Sequence, residues 1–436
     1  MLEDWVRECG NVYRIRLGLN WSVVSADPDL NAEIMQRRPG DFRRHPKITE
    51  VLEELGVLGV FNAEGATWRQ HRKPVAEALN LRKVRSFYPI ISEKAKQLLA
   101  ICEACAKTQE PVSIAPLLSR FTTDVTTRLA FGYELNTLGG QKDEVYRCLG
   151  EIFPMVNRRM TAPLPVWRWY KRLEDLNFEK SLNTLRFTVL KFIQEAEERL
   201  KKNPALREAP TNFLEALLAE KGGHGFNRAD IYSSIFTILL AGEDTTANSL
   251  SWVIYYLAQH PEVVERVRTE VNGGVGEAAV PERSSQHKAL VFTQAVAQEA
   301  IRLKPTSPQL IMQSLQDVSC GGLAMPKGTS IILQNRVAQG RAEYFSKPER
   351  FLPQRWVPGA CPAGFHHQAD MVRAFGGGTR YCPGAQLAIH EMVLVIATLC
   401  KHFDMQLVQA PEDVKETFSF TMHPSSYQIY LRSHSI

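Results

Sequence analysis

The run Phe375-Gly-Gly-Gly-Thr-Arg-Tyr-Cys-Pro-Gly384 constrains this chain more than any other segment. Gly376, Gly377 and Gly378 give a backbone that turns sharply and lets a flat group lie against it. Cys382 directly precedes Pro383, and proline is well suited to the first position of a helix. The spacing predicts a final long helix from Pro383 to about Lys401, with the thiol in its N-cap region. There the macrodipole and free N–H groups favour a thiolate. Arg380 can meet an anion two residues earlier. A lone Cys-Pro-Gly reads more readily as an ordinary buried cysteine in a glycine loop, so the rest of the chain decides.

At 436 residues the chain is long enough for two packed lobes or one large composite domain with a sizeable internal cavity. It is 44% apolar and 23% charged, as globular proteins are. The 52 basic and 47 acidic residues leave +5, too little for a nucleic-acid binder but enough for a basic docking patch. Eight scattered cysteines make no disulfide framework and point to a reducing compartment. The most apolar stretch, Ile231 to Ala258, contains Glu243 and Asp244 and reads as a buried helix.

Asn11 to Ala26 reads as a hairpin, with Asp27-Pro28 starting a helix. From Trp68 to about Leu200 the pattern is helical, with breaks expected at Pro74, Pro89, Pro111, Pro154, Pro163 and Pro165. A second helical block runs from Asn227 to Leu303, its main member about 48 Å long. Strands follow around residues 310–335, then a Pro- and Gly-rich meander from Pro348 to Gly378, the final helix and terminal strands at 403–432. One domain over 1–436 is expected, mainly α, with helical cores at about 67–303 and 383–401. A smaller β-rich lobe draws on about 11–26, 310–335 and 403–432.

Phe375, Gly378, Arg380, Cys382 and Gly384, with Leu387, Ala388 and Glu391 beyond them, resemble the haem-ligand loop of the cytochrome P-450 superfamily. Three further motifs resemble that family in the same order. Glu299-Ala-Ile-Arg302 places two charges on one helix face. In the family such a pair is buried with an arginine from a Pro-x-Arg-aromatic motif, here Pro353-Gln-Arg355-Trp356, whereas Arg350 in Pro348-Glu-Arg350-Phe351 is a decoy. Trp68 and Arg72 stand four apart on one face and correspond to haem-propionate donors. Ala241-Gly-Glu-Asp-Thr245 places small residues where a diatomic ligand would approach a helix, with Asp244 and Thr245 as a proton relay and Glu243 a weaker candidate. A helix kink with internally bonded hydroxyls is the plainer alternative there.

The resemblance implies a soluble, bacterial-type member that binds heme b (iron protoporphyrin IX) through Cys382, with Trp68, Arg72, Ala241, Phe375, Gly376, Arg380 and Gly384 around the cofactor. The thiolate favours O–O cleavage, and one oxygen atom of O2 enters a hydrophobic substrate by hydroxylation or epoxidation, in fatty-acid or natural-product metabolism. NAD(P)H acts only indirectly, through a ferredoxin or flavodoxin with its reductase, docking at Arg69, Lys73, Arg373 and Lys401. Phe61, Phe236, Leu239, Leu310 and Ile311 would line the substrate space. Many relatives carry a propionate-binding arginine where Met312 or Gln313 stands here, so anchoring falls to Trp68, Arg72 and Arg380. A cytoplasmic location is expected, with no nucleic acid and no membrane contact. Relatives carry some tens of residues ahead of the hairpin that starts here at Asn11, which leaves a preceding anchor open. A peroxide-using or peroxide-rearranging enzyme of the same fold, and a non-catalytic haem protein that binds a gas, are the competing readings.

Three signals are discounted. Cys102 and Cys105 lack a second ligand pair, Met325-Pro-Lys-Gly-Thr329 is a turn between strands, and Pro165 to Tyr170 reads as a cavity lid ahead of a lipid contact.

Overall fold

The computed structural model describes residues 2–18, 20–140, 143–219 and 227–434. Helices dominate, and the strands are short. They are β1 (Val12–Leu17), β2 (Asn20–Ser25), β3 (Phe42–Arg44), β4 (Val112–Ser113), β5 (Leu310–Ser314), β6 (Val318–Cys320), β7 (Leu323–Met325), β8 (Ser330–Leu333), β9 (Phe403–Leu407), β10 (Glu416–Phe418), β11 (Met422–Pro424) and β12 (Gln428–Ser433). The largest sheet has the order β1-β2-β8-β5-β3, so two strands from the second half of the chain lie between strands from the first. β2 and β8 pair in parallel and every other pairing is antiparallel. The expected mainly helical fold with a smaller β-rich lobe is therefore observed.

The 30-residue helix Arg228–Leu257 runs through the centre of the helical core. Asn227 caps it by accepting from the N–H groups of Ala229 and Asp230, and Asp230 closes the capping box. It is apolar on nearly all sides, as a helix surrounded by others must be. Its closest neighbour is Ile114–Phe131, the wall helix. Two expected breaks do not occur. Pro74 lies inside Gly65–Ala78 and Pro154 inside Glu144–Thr161. Each removes one ladder hydrogen bond, and the surrounding packing outweighs that loss. The final helix also starts later than expected, at Ala385, with Gly384 as N-cap and Pro383 outside it.

Behind the cysteine loop, helix Val291–Leu303 carries the carboxylate of Glu299, fully buried. Arg302 donates to it through Nε at 2.8 Å and Nη2 at 2.9 Å, Arg355 through Nε at 3.0 Å, Trp356 through Nε1 at 2.8 Å and Leu352 through its backbone N–H at 3.0 Å. The arginines then reach outward: Arg302 to the carbonyls of Gln339, Pro348 and Arg350, Arg355 to those of Ser346 and Lys347. Arg350 contributes only its carbonyl. Glu299→Gln leaves two buried guanidinium groups without their shared anion. It is expected to cost about 3–5 kcal/mol, against under about 1 kcal/mol for Arg350→Ala, read from denaturant midpoints.

Candidate functional site

The cysteine loop closes on itself, with the Cys382 N–H donating to the Phe375 carbonyl at 2.9 Å. Gly376 and Gly378 have φ of +77° and +61°. At Gly378 the glycine is needed twice, because a Cβ would lie 2.6 Å from the Met35 carbonyl oxygen. Room at that position is thus taken by helix Pro28–Gln36 rather than reserved for a ligand. The thiol departs from expectation too. The N–H groups of Gly384 and Ala385 and the charge of Arg72 all lower its pKa, but burial outweighs them and leaves it raised. The helix end alone does not make the thiolate, whereas a coordinated metal ion would.

Beside this loop lies a buried cationic cluster. Helix Gly65–Ala78 presents Trp68 and Arg72. Arg72 donates to the Tyr381 carbonyl at 2.7 Å, which ties the helix to the cysteine loop. The Arg380 guanidinium lies 4.3 Å from the centre of the Trp68 ring and donates to the Ala63 carbonyl at 2.8 Å and to Glu64. Arg38 donates to the same Glu64 carboxylate at 2.7 Å, and the Arg44 backbone N–H does so at 2.9 Å. Burial and the charge of Arg38 push both Arg44 and Arg380 down to about 9. Several buried donors have no partner among the described residues: Trp68 Nε1, Arg38 Nε, and Arg380 Nε and Nη1. Such groups are costly unless something accepts from them. A doubly anionic edge of a flat cofactor fits this donor set.

The central helix divides its short motif between two faces. Ala241 is exposed in the middle of an otherwise buried helix, which marks open space beside it. Asp244 accepts from Thr421 in the β10–β11 turn and from Asn248 at 3.0 Å, and Asn248 donates to Thr421 at 2.9 Å. Burial raises the Asp244 carboxyl, and these hydrogen bonds offset part of the rise. Thr245 Oγ1 donates back to the Ala241 carbonyl at 2.7 Å. The other two residues point elsewhere. A Cβ at Gly242 would lie 2.8 Å from Thr126 Oγ1, so this glycine serves close packing on the wall helix, not ligand approach. Glu243 accepts from Ser119 of that helix at 2.9 Å, so it turns away from the side of Asp244 and Thr245.

Other expected positions need revision. Phe236 and Leu239 are 0% and 1% exposed, so they lie in the core and not on a cavity wall; Phe61, Leu310 and Ile311 retain partial exposure. Lys401 is buried and donates to the carbonyls of Gly276 and Ala278, which excludes it from a docking surface. Arg69 and Lys73 are exposed, and Arg373 is half-buried. Trp169 and Tyr170, 75% and 66% exposed, stand open to solvent. Cys102 is a core residue of helix Tyr88–Thr108, and no metal-binding cluster of His, Cys, Asp and Glu is found among the described residues. Arg38, Arg44, Glu64, Asn248 and Thr421 were not singled out from sequence. Only Asn248, four residues after Asp244 on the same helix face, carried a readable signal.

With this geometry in hand, comparison with known proteins identifies the class. The sequence model of cytochrome P450 matches residues 2–431, and the chain belongs to that family. Similar proteins include LUTEIN DEFICIENT 5 of Arabidopsis thaliana, 26% identical over 95% of this chain and 70% of that relative. A carotene epsilon-monooxygenase of the same plant is 25% identical over 98% and 80%, and the steroid 17-alpha-hydroxylase/17,20 lyase of Mesocricetus auratus 26% over 93% and 80%. The chain is accordingly a haem-binding, O2-using monooxygenase that draws NAD(P)H electrons through a redox partner. No described helix is long and apolar enough to cross a membrane.

Burial holds the Glu243 carboxyl up at about 7, well above its ordinary value of 4.5. Between those values the folded state holds a proton that the unfolded state has lost, so rising pH destabilises the fold across that window and adds nothing further above it. Glu243→Gln is expected to remove this loss. Relative to the parent it should gain up to about 3 kcal/mol between pH 4.5 and 8 in urea unfolding.

Proposed function

We propose that Cys382 would hold the haem iron through its thiolate, that Trp68 and Arg380 would donate to the propionate edge, and that Arg72 would hold the cysteine loop against that edge. Ala241 leaves the space in which O2 is reduced, and Asp244 with Thr245 delivers protons there. Bound haem supplies the iron at which O2 takes two electrons, and the residues around it govern water, protons and substrate. The observation that carries this reading is the group of buried donors with no hydrogen-bond partner among the described residues, Trp68 Nε1 and Arg380 Nε and Nη1, on the element that bears Cys382 and the helix tied to it.

Asp244 is suited to its part because burial favours its protonated form, while Thr421 and Asn248 fix its direction. Thr245 can turn its hydroxyl away from the Ala241 carbonyl to accept that proton and pass one on. Phe61, its ring tilted against that of Phe420 with centres 5.9 Å apart, together with Leu310 and Ile311, supports a hydrophobic substrate that is hydroxylated or epoxidised. The relatives named for carotene and steroid oxidation support a natural-product skeleton of that kind. All eight cysteines are free, in keeping with a reducing, cytoplasmic compartment.

The electron donor is a ferredoxin or flavodoxin. A crevice of about 540 Å3 beside the cysteine loop, lined by Phe375, Tyr381 and Gln386, carries the exposed Arg85 and Lys288, and a small acidic donor suits it. Reversing both charges (Arg85→Glu, Lys288→Glu) is expected to slow reduction by such a donor about tenfold at low salt and little at high salt, measured by stopped-flow.

The proton role is tested in Thr245→Ala with any ligand that produces a substrate-type spin shift. NAD(P)H consumption is expected to continue while product per NAD(P)H falls on the order of tenfold. Unchanged coupling removes Thr245 from the relay.

A further inference from the structure

The crevice beside the cysteine loop holds groups that a docked electron donor leaves unexplained. Two of its lining residues are histidines stacked face to face: His287, which ends the short helix Ser284–His287, and His390 of helix Ala385–His402. Their ring centres lie 3.9 Å apart and their planes are within 7° of parallel. Both residues are buried. His390 donates through Nδ1 to the Gln386 carbonyl at 2.7 Å, one turn earlier on its own helix. His287 Nδ1 has no hydrogen-bond partner among the described residues, although the residue is only 7% exposed. Burial, the adjoining His390 and the charge of Arg85 hold the His287 ring down at about 3, so it is a neutral imidazole with one N–H to place. A buried polar group of that kind is costly unless something bonds it.

The charge around this stack is of one sign. Arg85 of helix Leu81–Ser86 and the adjacent Lys288 are exposed on the crevice, and no aspartate or glutamate lines it. The charge of Arg85 bears on both imidazoles and opposes their protonation. Two cations beside two neutral rings leave an anion as the missing partner. A bare ion does not suffice, because the crevice holds about 540 Å3 and Phe375 and Tyr381 give it an aromatic wall. An anionic group attached to a ring uses both the cations and the wall.

We infer that this crevice is a binding site for a small aromatic anion, a ring bearing a phosphate or carboxylate group. Arg85 and Lys288 meet the charge, His287 supplies a neutral donor, and Phe375 and Tyr381 take the ring. The same two cations are the ones proposed above to receive the electron donor, so a bound anion slows electron delivery. That second effect rests on the docking surface proposed above, whereas the binding does not.

The test is calorimetric titration of the full-length, haem-loaded protein with phenyl phosphate, which is expected to fill one saturable site. Inorganic phosphate should bind about tenfold more weakly for want of the ring. Arg85→Gln is expected to weaken phenyl phosphate about tenfold, and His287→Phe, which keeps a ring in the stack without the N–H, about fivefold. Arg85 is exposed, so its variant probes the site even where His287→Phe does not fold. The inference is overturned by no saturable binding, by inorganic phosphate binding as tightly as phenyl phosphate, or by unchanged affinity in Arg85→Gln. In stopped-flow reduction by a ferredoxin, phenyl phosphate should slow the parent with half its effect at the calorimetric Kd. Inorganic phosphate at equal ionic strength should slow it less. Saturable binding without that slowing upholds the anion site and overturns the docking surface.

Discussion

The shared carboxylate of Glu299 is the interaction on which the rest of this structure depends. Five hydrogen bonds converge on it from Arg302, Leu352, Arg355 and Trp356, and the two arginines carry the order onward to the carbonyls of the meander. That irregular stretch has little secondary structure of its own, so a buried ion pair substitutes for a sheet or helix in fixing its path. The link continues through Gln339. With its amide turned to satisfy both neighbours, it donates to the Arg302 carbonyl at 2.9 Å and accepts from the Arg373 N–H at 3.2 Å, and Arg373 in turn accepts from Gly376. A charge network in the core therefore positions a cysteine loop that the glycines leave conformationally free.

The central helix solves a second problem, packing tightly on one side while leaving space on the other. Gly242 and Glu243 face the wall helix, where the first permits close approach and the second bonds Ser119. Ala241, Asp244 and Thr245 lie on the open side. Five consecutive residues thus divide between helix packing and the open side, and the 100° step of the helix sorts them. Asp244 is anchored from outside its helix by Thr421, so the terminal β elements complete a site begun in the helical core.

The legible parts of the molecule were those whose partners lie close in sequence or whose chemistry demands a fixed companion. Glu299 and Arg302 are three apart, and the Pro-x-Arg-aromatic motif selected Arg355 over Arg350. The hairpin of β1 and β2 showed through its β-formers. Arg38, Arg44 and Glu64 did not stand out because charged residues in short segments look like solvated surface; only the fold brings them beneath Arg380. Thr421 lies 177 residues from Asp244, beyond any local pattern. Lys401 misled for the opposite reason. Its position at a helix end suggests exposure, but its amine caps buried carbonyls. Pro383 was assigned to the helix because proline favours the first helical position, yet a turn from Cys382 to Ala385 comes first.

Ligation of the haem iron by Cys382 is the proposal on which every other role rests. It is tested most directly by the absorption spectrum of the reduced, carbon monoxide-bound protein, in the parent and in Cys382→Ala, with Cys361→Ala and Cys400→Ala as controls. The red-shifted Soret band of a thiolate-ligated complex is predicted in the parent and both controls and absent from Cys382→Ala. Persistence of that band in Cys382→Ala would contradict the account.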